Sequence, residues 1–425
     1  MAAVQVHVAV SKLFKNCEPF SQVRLAKEAG VNKGQLSNWL KRGTNLADEK
    51  IVAIIDVLMA WLETDQAGGC KYRQEDLINQ IKLFEPYISS QATAFPLQPV
   101  PATHPTYIQR NEEKRLFELI EHHPADIAVV GGGKMGKSSL LNWLKWSLRY
   151  KHNVIRVDFR TQSGDPIAII PQAAKTAGMR DIRLKNWDDF SIWALSTLLV
   201  DEKPCTIILD DVHCLHVNYL KELADGLHAF VDQRRNQPIL DRLNMVLAYD
   251  DAASSIHDAG FHSSGIARGL KGLSLVRFNE SQVDALLEQI LLIHDPIKLL
   301  PFANAAWELF RGHPFLTHLW AASLSEHDNK YCDLINVLTN ISAEADKSLF
   351  RPFADSLDKV TRNAIVQVAI GNVEIISSQE LPENSSLWLK DSGLFEVDGP
   401  HRNSRISFAS DWIRARLTDA FINTP

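Results

Sequence analysis

Residues 129–144 read VVGGGKMGKSSLLNWL, and no other stretch constrains the fold as much. Two apolar residues run into three glycines, then a lysine-rich turn, then an amphipathic run. Gly131, Gly136, Lys137 and Ser138 fit the spacing G-x-x-x-x-G-K-[ST]. Glycines let the backbone curl until successive N–H groups point inward, which is how a loop cradles phosphate oxygens. The helix that starts at Lys137 adds its positive N-terminal end. A strand must therefore precede residue 131 and a helix must follow residue 136. The cradle is expected from Gly131, Gly132, Gly133, Lys134, Met135, Gly136, Lys137, Ser138 and Ser139. Lys137 is placed to reach β- and γ-phosphates, and Ser138 to put its hydroxyl on Mg²⁺. ATP and Mg²⁺ are the ligands this implies.

Such a site needs an acid on a neighbouring strand to hold the metal. The run CTIILDDVHCL is a buried-strand pattern ending in Asp210 and Asp211. Asp210 suits the metal, beside Ser138. Asp211 sits where a base would orient the attacking water. An aspartate is one methylene shorter than the glutamate many such ATPases use, so slow hydrolysis is expected. Asp250 ends another strand pattern, LNMVLAYDD, but a carboxylate facing a phosphate is repulsive. Arg268, just before the last strand pattern, is a candidate finger toward a neighbouring subunit's nucleotide, with a solvated surface charge as the alternative. The expected catalytic set is Asp211, Lys137 and Arg268.

The remaining pattern gives a multidomain chain. Residues 1–85 read as short helices forming a DNA-binding domain, and 86–105 hold five prolines and little periodicity, as a linker does. Across 106–278 the strand patterns DIAVVG, NVIRVDF, CTIILDD, LNMVLAY and LSLVRF alternate with helical ones, which predicts an α/β core with a parallel sheet. Residues 279–350 read as a helical lid. Residues 351–425 contain helices and then GLFEVDGPHRNSRISFAS, a hairpin pattern with a Gly-Pro turn.

The segment SQVRLAKEAGVNKGQLSNWLKRG, residues 21–43, has helix-turn-helix spacing. Ala26 lets two helices cross closely, Gly30 supplies a left-handed turn residue, and Asn32 is a good N-cap. Val31, Leu36 and Trp39 fill a small core. The second helix would then present Lys33, Gln35, Ser37, Asn38, Lys41 and Arg42 to the major groove of double-stranded DNA. Charge agrees with this. Residues 1–45 carry seven basic side chains (Lys12, Lys15, Arg24, Lys27, Lys33, Lys41, Arg42) against Glu18 and Glu28, in a chain whose net charge is −6.

These residues resemble a family. PTYIQRNEEKRLFELI, GGGKMGKSSLL and IILDD are together similar to the STAND and archaeal-type branch of the AAA+ P-loop ATPases. WELFRGHPFLTHLWAASL resembles that family's lid motif, here built on Gly312, His313 and Pro314. LKDSGLFEVDGPHRNSRISFASDWIRARL looks like its winged-helix domain. The resemblance implies an ATP switch that changes domain packing and assembles as a homo-oligomer. It also implies that His313 and Pro314 lie near the nucleotide. The loop interior Gly132–Gly133–Lys134 departs from the Pro-Arg of many relatives, which makes Lys134 an added candidate phosphate contact. The N-terminal module is similar to that of phage Mu transposition protein B, an AAA+ ATPase that polymerises on DNA and recruits a transposase.

Composition excludes little but directs some. Five scattered cysteines without metal-ligand spacing suggest reduced thiols. No apolar run approaches the ~20 residues a membrane helix needs. With no signal-peptide pattern, a cytoplasmic protein with no membrane association is expected. The sequence thus supports a DNA-associated ATP switch in transposition target selection, transcription control or defence, with a protein effector or transposase as a further partner. A signalling ATPase whose N-terminal helices bind a protein is the alternative.

Overall fold

The computed structural model describes residues 22–42, most of 99–122 and 126–177, 184–250 apart from 201 and 202, 270–326, 334–369, most of 389–422, and single positions between these stretches. It comprises two compact units, one of 1–94 with 103–106 and one of 95–102 with 107–425.

The described part of the first unit is a helix pair, α1 (Gln22–Glu28) and α2 (Lys33–Arg42). Gly30 turns the chain between them at φ 64°, where a Cβ would be strained. Asn32 starts α2, its Oδ1 accepting from the Gly34 N–H at 2.8 Å. Val31, Leu36 and Trp39 are buried as the spacing predicts, with Ala26 at the crossing, and Leu25 and Leu40 join them.

The second unit is built on a five-stranded sheet. The chain enters through α3 (Asn111–His122), β1 (Ile127–Val130) and α4 (Lys137–Leu148). Then follow β2 (Asn153–Asp158), α5 (Pro166–Thr176), α6 (Trp187–Val200) and β3 (Cys205–Asp210). After α7 (Val217–Asn236) come β4 (Leu243–Tyr249) and β5 (Lys271–Ser274). The strand order is β2-β3-β4-β1-β5, and every pairing is parallel. Parallel neighbours need long crossovers, and helices here supply them on both faces. Alternate strand residues divide between two cores. Ile207, Leu209, Met245 and Leu247 pack under α5, α6 and α7, whereas Ile127, Val129, Ile208 and Val246 pack under α3 and α4. That is why β3 and β4 are buried along their whole length and carry almost no polar residue before their last positions.

All five strand patterns form strands, but the last is displaced. LSLVRF predicts a strand over 273–278, whereas β5 is Lys271–Ser274. The chain leaves the sheet because its later backbone groups find other partners. The Val276 N–H donates to Glu112, and the Phe278 N–H to the Gly312 carbonyl at 2.8 Å.

Beyond the sheet come α8 (Glu280–Leu291), α9 (Pro296–Phe310), α10 (Pro314–Glu326) and α11 (Leu334–Ala345). A capping box of Asn279 and Gln282 opens α8, and an Asp295–Pro296 cap opens α9. A π-turn over Asp346–Phe350 joins α11 to α12 (Arg351–Ser356). Pro352 lacks the N–H that would continue the α-helical ladder there. Last come α13 (Lys359–Ala369), β6 (Ile376–Ser377), β7 (Phe395–Asp398), β8 (Arg405–Phe408) and α14 (Asp411–Ile422). The strands form an antiparallel sheet in the order β6-β8-β7, so the predicted hairpin is present. Elements from α8 to α14 share one apolar core centred on Phe310, Trp320, Phe350 and Phe395. Among the described residues no helix is long and apolar enough to cross a membrane.

Gly312 ties this helical region to the segment that follows β5. It sits at φ 74°, and a Cβ there would lie 2.0 Å from the Phe278 carbonyl oxygen. Gly312→Ala combines a left-handed penalty with a backbone clash and is expected to destabilise the unit by roughly 2–5 kcal/mol. Urea or thermal unfolding measures this. An unchanged transition would mean that the contact relaxes freely.

Candidate active site

In an open parallel sheet, ligands gather outside the carboxyl ends of the strands. Here β1 ends in the loop 131–136, β2 ends in Asp158 and β3 in Asp210. The register sets Asp158 directly opposite Asp210.

The loop has the conformation its glycines predict. Gly136 lies at φ 95° and caps α4. Lys134 is left-handed too, at φ 64°, and so is Asp211, at φ 52°. Of the four described non-glycine residues at such angles, Leu292 and Arg311 end helices, and Lys134 and Asp211 fall in this site. Lys137 is 6% exposed, and its Nζ donates to the carbonyls of Gly131 at 2.6 Å and Gly132 at 2.9 Å. Ser138 is half-buried beside it. The Ser139 hydroxyl is already engaged, accepting from the Val100 N–H at 2.9 Å. Met135 is buried, with its Sδ close against Gly393. Gly132 gives its N–H to the Asp391 carbonyl, and a Cβ at 132 would lie 2.4 Å from the Ser392 Cα. The segment 391–393 therefore packs on the loop's backbone, which only glycine permits at 132.

Three carboxylates converge at the strand ends. Asp158, Asp210 and Asp211 offer oxygens that lie within 4.8 Å of one another. Asp210 is fully buried and is paired with Arg156 at 2.6 Å, and it also accepts the Asp211 N–H. Arg160 bridges the other two, bonding both oxygens of Asp158 and lying 2.6 Å from Asp211 Oδ2 through its Nε. Burial, and then the Asp210 charge, push the Asp211 carboxyl up to about 6, while Lys137 and Arg160 oppose that rise. Hydrogen bonds from Arg160 hold Asp158 below its ordinary range against a desolvation that would raise it. His213 is pushed down to about 4, chiefly by burial and then by Lys137, and as a neutral ring its Nδ1 accepts the Asp250 N–H at 3.2 Å. Asp250 lies near the loop as well, its Oδ2 3.8 Å from where a Gly133 Cβ would sit.

His313 is fully buried, and neither ring nitrogen has a hydrogen-bond partner among the described residues. Burial, with Arg277 and Arg110 nearby, pushes it down to about 3, so the ring is neutral. It follows Gly312 and precedes Pro314, the first residue of α10.

Two contributors escape the motif. Arg110, in the segment before α3, stacks 4.5 Å over the Phe278 ring and donates to the Val276 carbonyl at 3.2 Å. One of its terminal nitrogens would lie 2.9 Å from a Cβ at Gly136, so the guanidinium flanks the loop. Asp158 with its Arg160 is the other. Its only signal in sequence was an acid closing an apolar strand pattern. The predicted DNA-facing residues belong to the other unit. Lys33, Gln35, Asn38 and Lys41 are exposed on α2 and Ser37 is half-buried. The Arg42 side chain and Arg268 lie outside the described residues.

Hard oxygen donors from carboxylates and a hydroxyl suit Mg²⁺, and a glycine-rich loop ahead of a helix N-terminus with a buried lysine suits polyphosphate. A Walker-type ATPase of Pyrococcus abyssi superposes with a TM-score of 0.53, over 76% of this chain and 98% of that one, at 15% identity. The core has the P-loop ATPase fold. The Orc1 protein of Aeropyrum pernix, solved in complex with DNA, is similar at a TM-score of 0.38 and 17% identity, over 75% of this chain and 93% of that one. A STAND protein with a tetratricopeptide-repeat sensor from Pyrococcus horikoshii gives 0.36 and 13%, over 73% of this chain and 42% of that one. No family model and no curated protein matches the chain. The P-loop core therefore rests on its own geometry and on the first of these likenesses.

Proposed function

We propose that the chain is an ATP-binding, slowly hydrolysing switch that associates with DNA and assembles as a homo-oligomer in its ATP state. The observation that carries the ATP part of this is a P-loop with a buried lysine at the same sheet edge as the carboxylates that close β2 and β3, with Lys137 acting on the Asp211 charge. A cation on a curled loop and an acid cluster at one sheet edge are the parts phosphoryl transfer to water needs.

In this reading the loop amides and Lys137 hold the phosphate chain, after Lys137 gives up the two loop carbonyls it now bonds. Ser138 and Asp210 hold Mg²⁺, which when bound neutralises charge on the phosphate oxygens. Asp211 Oδ2 accepts the proton of the attacking water. That oxygen lies against Arg160, which must first release it, and this supports slow turnover. His313, with two unpartnered nitrogens at the start of the helical region, reads the occupied site, and Pro314 sets the start of its helix. Arg268 remains a candidate finger in trans. Residues 279–350 act as the lid and 351–425 as a winged helix, for which the helices and antiparallel hairpin give support.

The N-terminal pair α1–α2 is read as a helix-turn-helix on double-stranded DNA. Its buried apolar set and left-handed Gly30 suit the motif, and Lys33, Gln35, Asn38 and Lys41 share one exposed helix. Removing residues 1–85 is expected to abolish most DNA affinity and flatten its salt dependence, measured by fluorescence anisotropy on a random duplex at several salt concentrations. Full affinity in the truncated protein would refute the assignment. Salt-independent or absent binding by the intact chain would favour a protein partner for these helices.

A further inference from the structure

Lys137 is not the loop's only ammonium group. Lys134 lies three residues earlier, inside the curl, and three features set it apart. Its backbone is left-handed at φ 64°, a conformation that glycine adopts freely and lysine does not. Its Nζ rests 5.1 Å from the centroid of the Phe315 ring. Its ammonium makes no hydrogen bond among the described residues, whereas that of Lys137 makes two. An ammonium has three donors and is strongly hydrated, and a ring face answers it only through its quadrupole. Such a group is held lightly and can leave for a stronger acceptor.

The surroundings say where it would go and what would follow. Phe315 is the second residue of α10, directly after Gly312, His313 and Pro314. Glu344, near the end of α11, and Asp211 attract Lys134, and Arg160 repels it. Lys134 thus links the phosphate cradle to the start of α10, within the electrostatic reach of the candidate base and of Glu344.

We propose that Lys134 is the residue by which the site tells a triphosphate from a diphosphate, trading the Phe315 ring for the terminal phosphate and so freeing the start of α10. This rests on the reading that the loop binds nucleotide. A diphosphate reaches Lys137 and leaves Lys134 on its ring. A third phosphate adds charge and oxygens at the mouth of the loop. The ammonium then exchanges a weak contact with the buried Phe315 ring for charge-assisted hydrogen bonds, which are the stronger interaction. The same movement removes a brace from α10, so the terminal phosphate is reported to the helical region through Phe315, by a route separate from His313.

The test is equilibrium binding of fluorescent ADP and of a non-hydrolysable ATP analogue with Mg²⁺, using the full chain. Lys134→Met is expected to weaken the ATP analogue about 10- to 100-fold, the range of a lost charged hydrogen bond. ADP binding should change less than about threefold. Lys134→Gly, which relieves the backbone strain, should show the same selective loss, and Lys134→Arg should restore much of the preference. Phe315→Leu, which removes the competing ring, should strengthen the analogue about threefold and leave ADP unchanged. Hydrogen exchange across residues 314–326 should quicken when the intact protein binds the analogue, and not do so in Lys134→Met. Equal weakening of both nucleotides in Lys134→Met and Lys134→Gly would overturn the proposal, as would an unchanged ratio, and either leaves the nucleotide site standing. Binding of neither nucleotide by the intact protein would overturn the site reading and this inference with it.

Discussion

Lys137→Ala is expected to lower affinity for both ADP and ATP at least about 100-fold, the loss that one or two charged hydrogen bonds to phosphate would give. The change removes the only ammonium buried within the loop, 6% exposed and bonded to two loop carbonyls. Those carbonyls also lose their partner, so the cradle loses both its charge and its brace. Calorimetric titration with each nucleotide in Mg²⁺ reads the affinity directly. Circular dichroism and the unfolding midpoint separate a lost ligand from a lost fold. The sheet should survive, because α4 and β1 are held by Leu140, Leu141, Leu144, Ile127 and Val129 rather than by the lysine. Unchanged affinity in a folded variant would remove the loop from the binding site. This substitution and the one at Lys134 separate cleanly. The first should cost both nucleotides alike, the second only the triphosphate.

How much of this was legible in the sequence depended on whether a residue's role is local. The phosphate loop could be read because its glycines, lysine and serine act through their own backbone and neighbours in the chain. The strands could be read because burial on both faces writes itself as unbroken apolar runs, as in Cys205–Asp210. Asp210 and Asp211 could be found because they close such a run. Asp158 could not be ranked with them, since its place opposite Asp210 is a fact of strand order and register, and nothing near residue 158 encodes either. Arg156 and Arg160 are invisible for the same reason, although they hold the carboxylates in place. Arg110 precedes the loop by more than twenty residues and reaches it by stacking on Phe278 and bonding the Val276 carbonyl. The end of β5 was misplaced because Val276 and Phe278 are apolar but bond outside the sheet, to Glu112 and Gly312. Periodicity registers which side chains are buried and says nothing of which carbonyl a strand's N–H will meet.

Asp211→Asn is expected to slow ATP turnover about 10²- to 10⁴-fold, the range for loss of a positioned general base, while nucleotide affinity stays within a few-fold. The substitution keeps the shape of a buried side chain and removes its charge and its proton affinity. The left-handed backbone at 211 favours it, since asparagine tolerates that conformation as well as aspartate does. The carboxylate cluster should not collapse, because Arg160 keeps both its bonds to Asp158 and Arg156 keeps Asp210. Single-turnover phosphate release against binding of the same nucleotide checks the split, and the size of the ATP-bound assembly should become long-lived. A second variant tells a base from a mere partner of the guanidinium. If Asp211 serves only to anchor Arg160, then Arg160→Ala should slow hydrolysis as severely as Asp211→Asn does. If Asp211 is the proton acceptor, Arg160→Ala unties Oδ2, and turnover should hold steady or rise. Parental turnover in Asp211→Asn would move the base elsewhere. The neighbouring carboxylate of Asp158 would then be the first to replace, since it shares the same arginine at the same edge of the sheet.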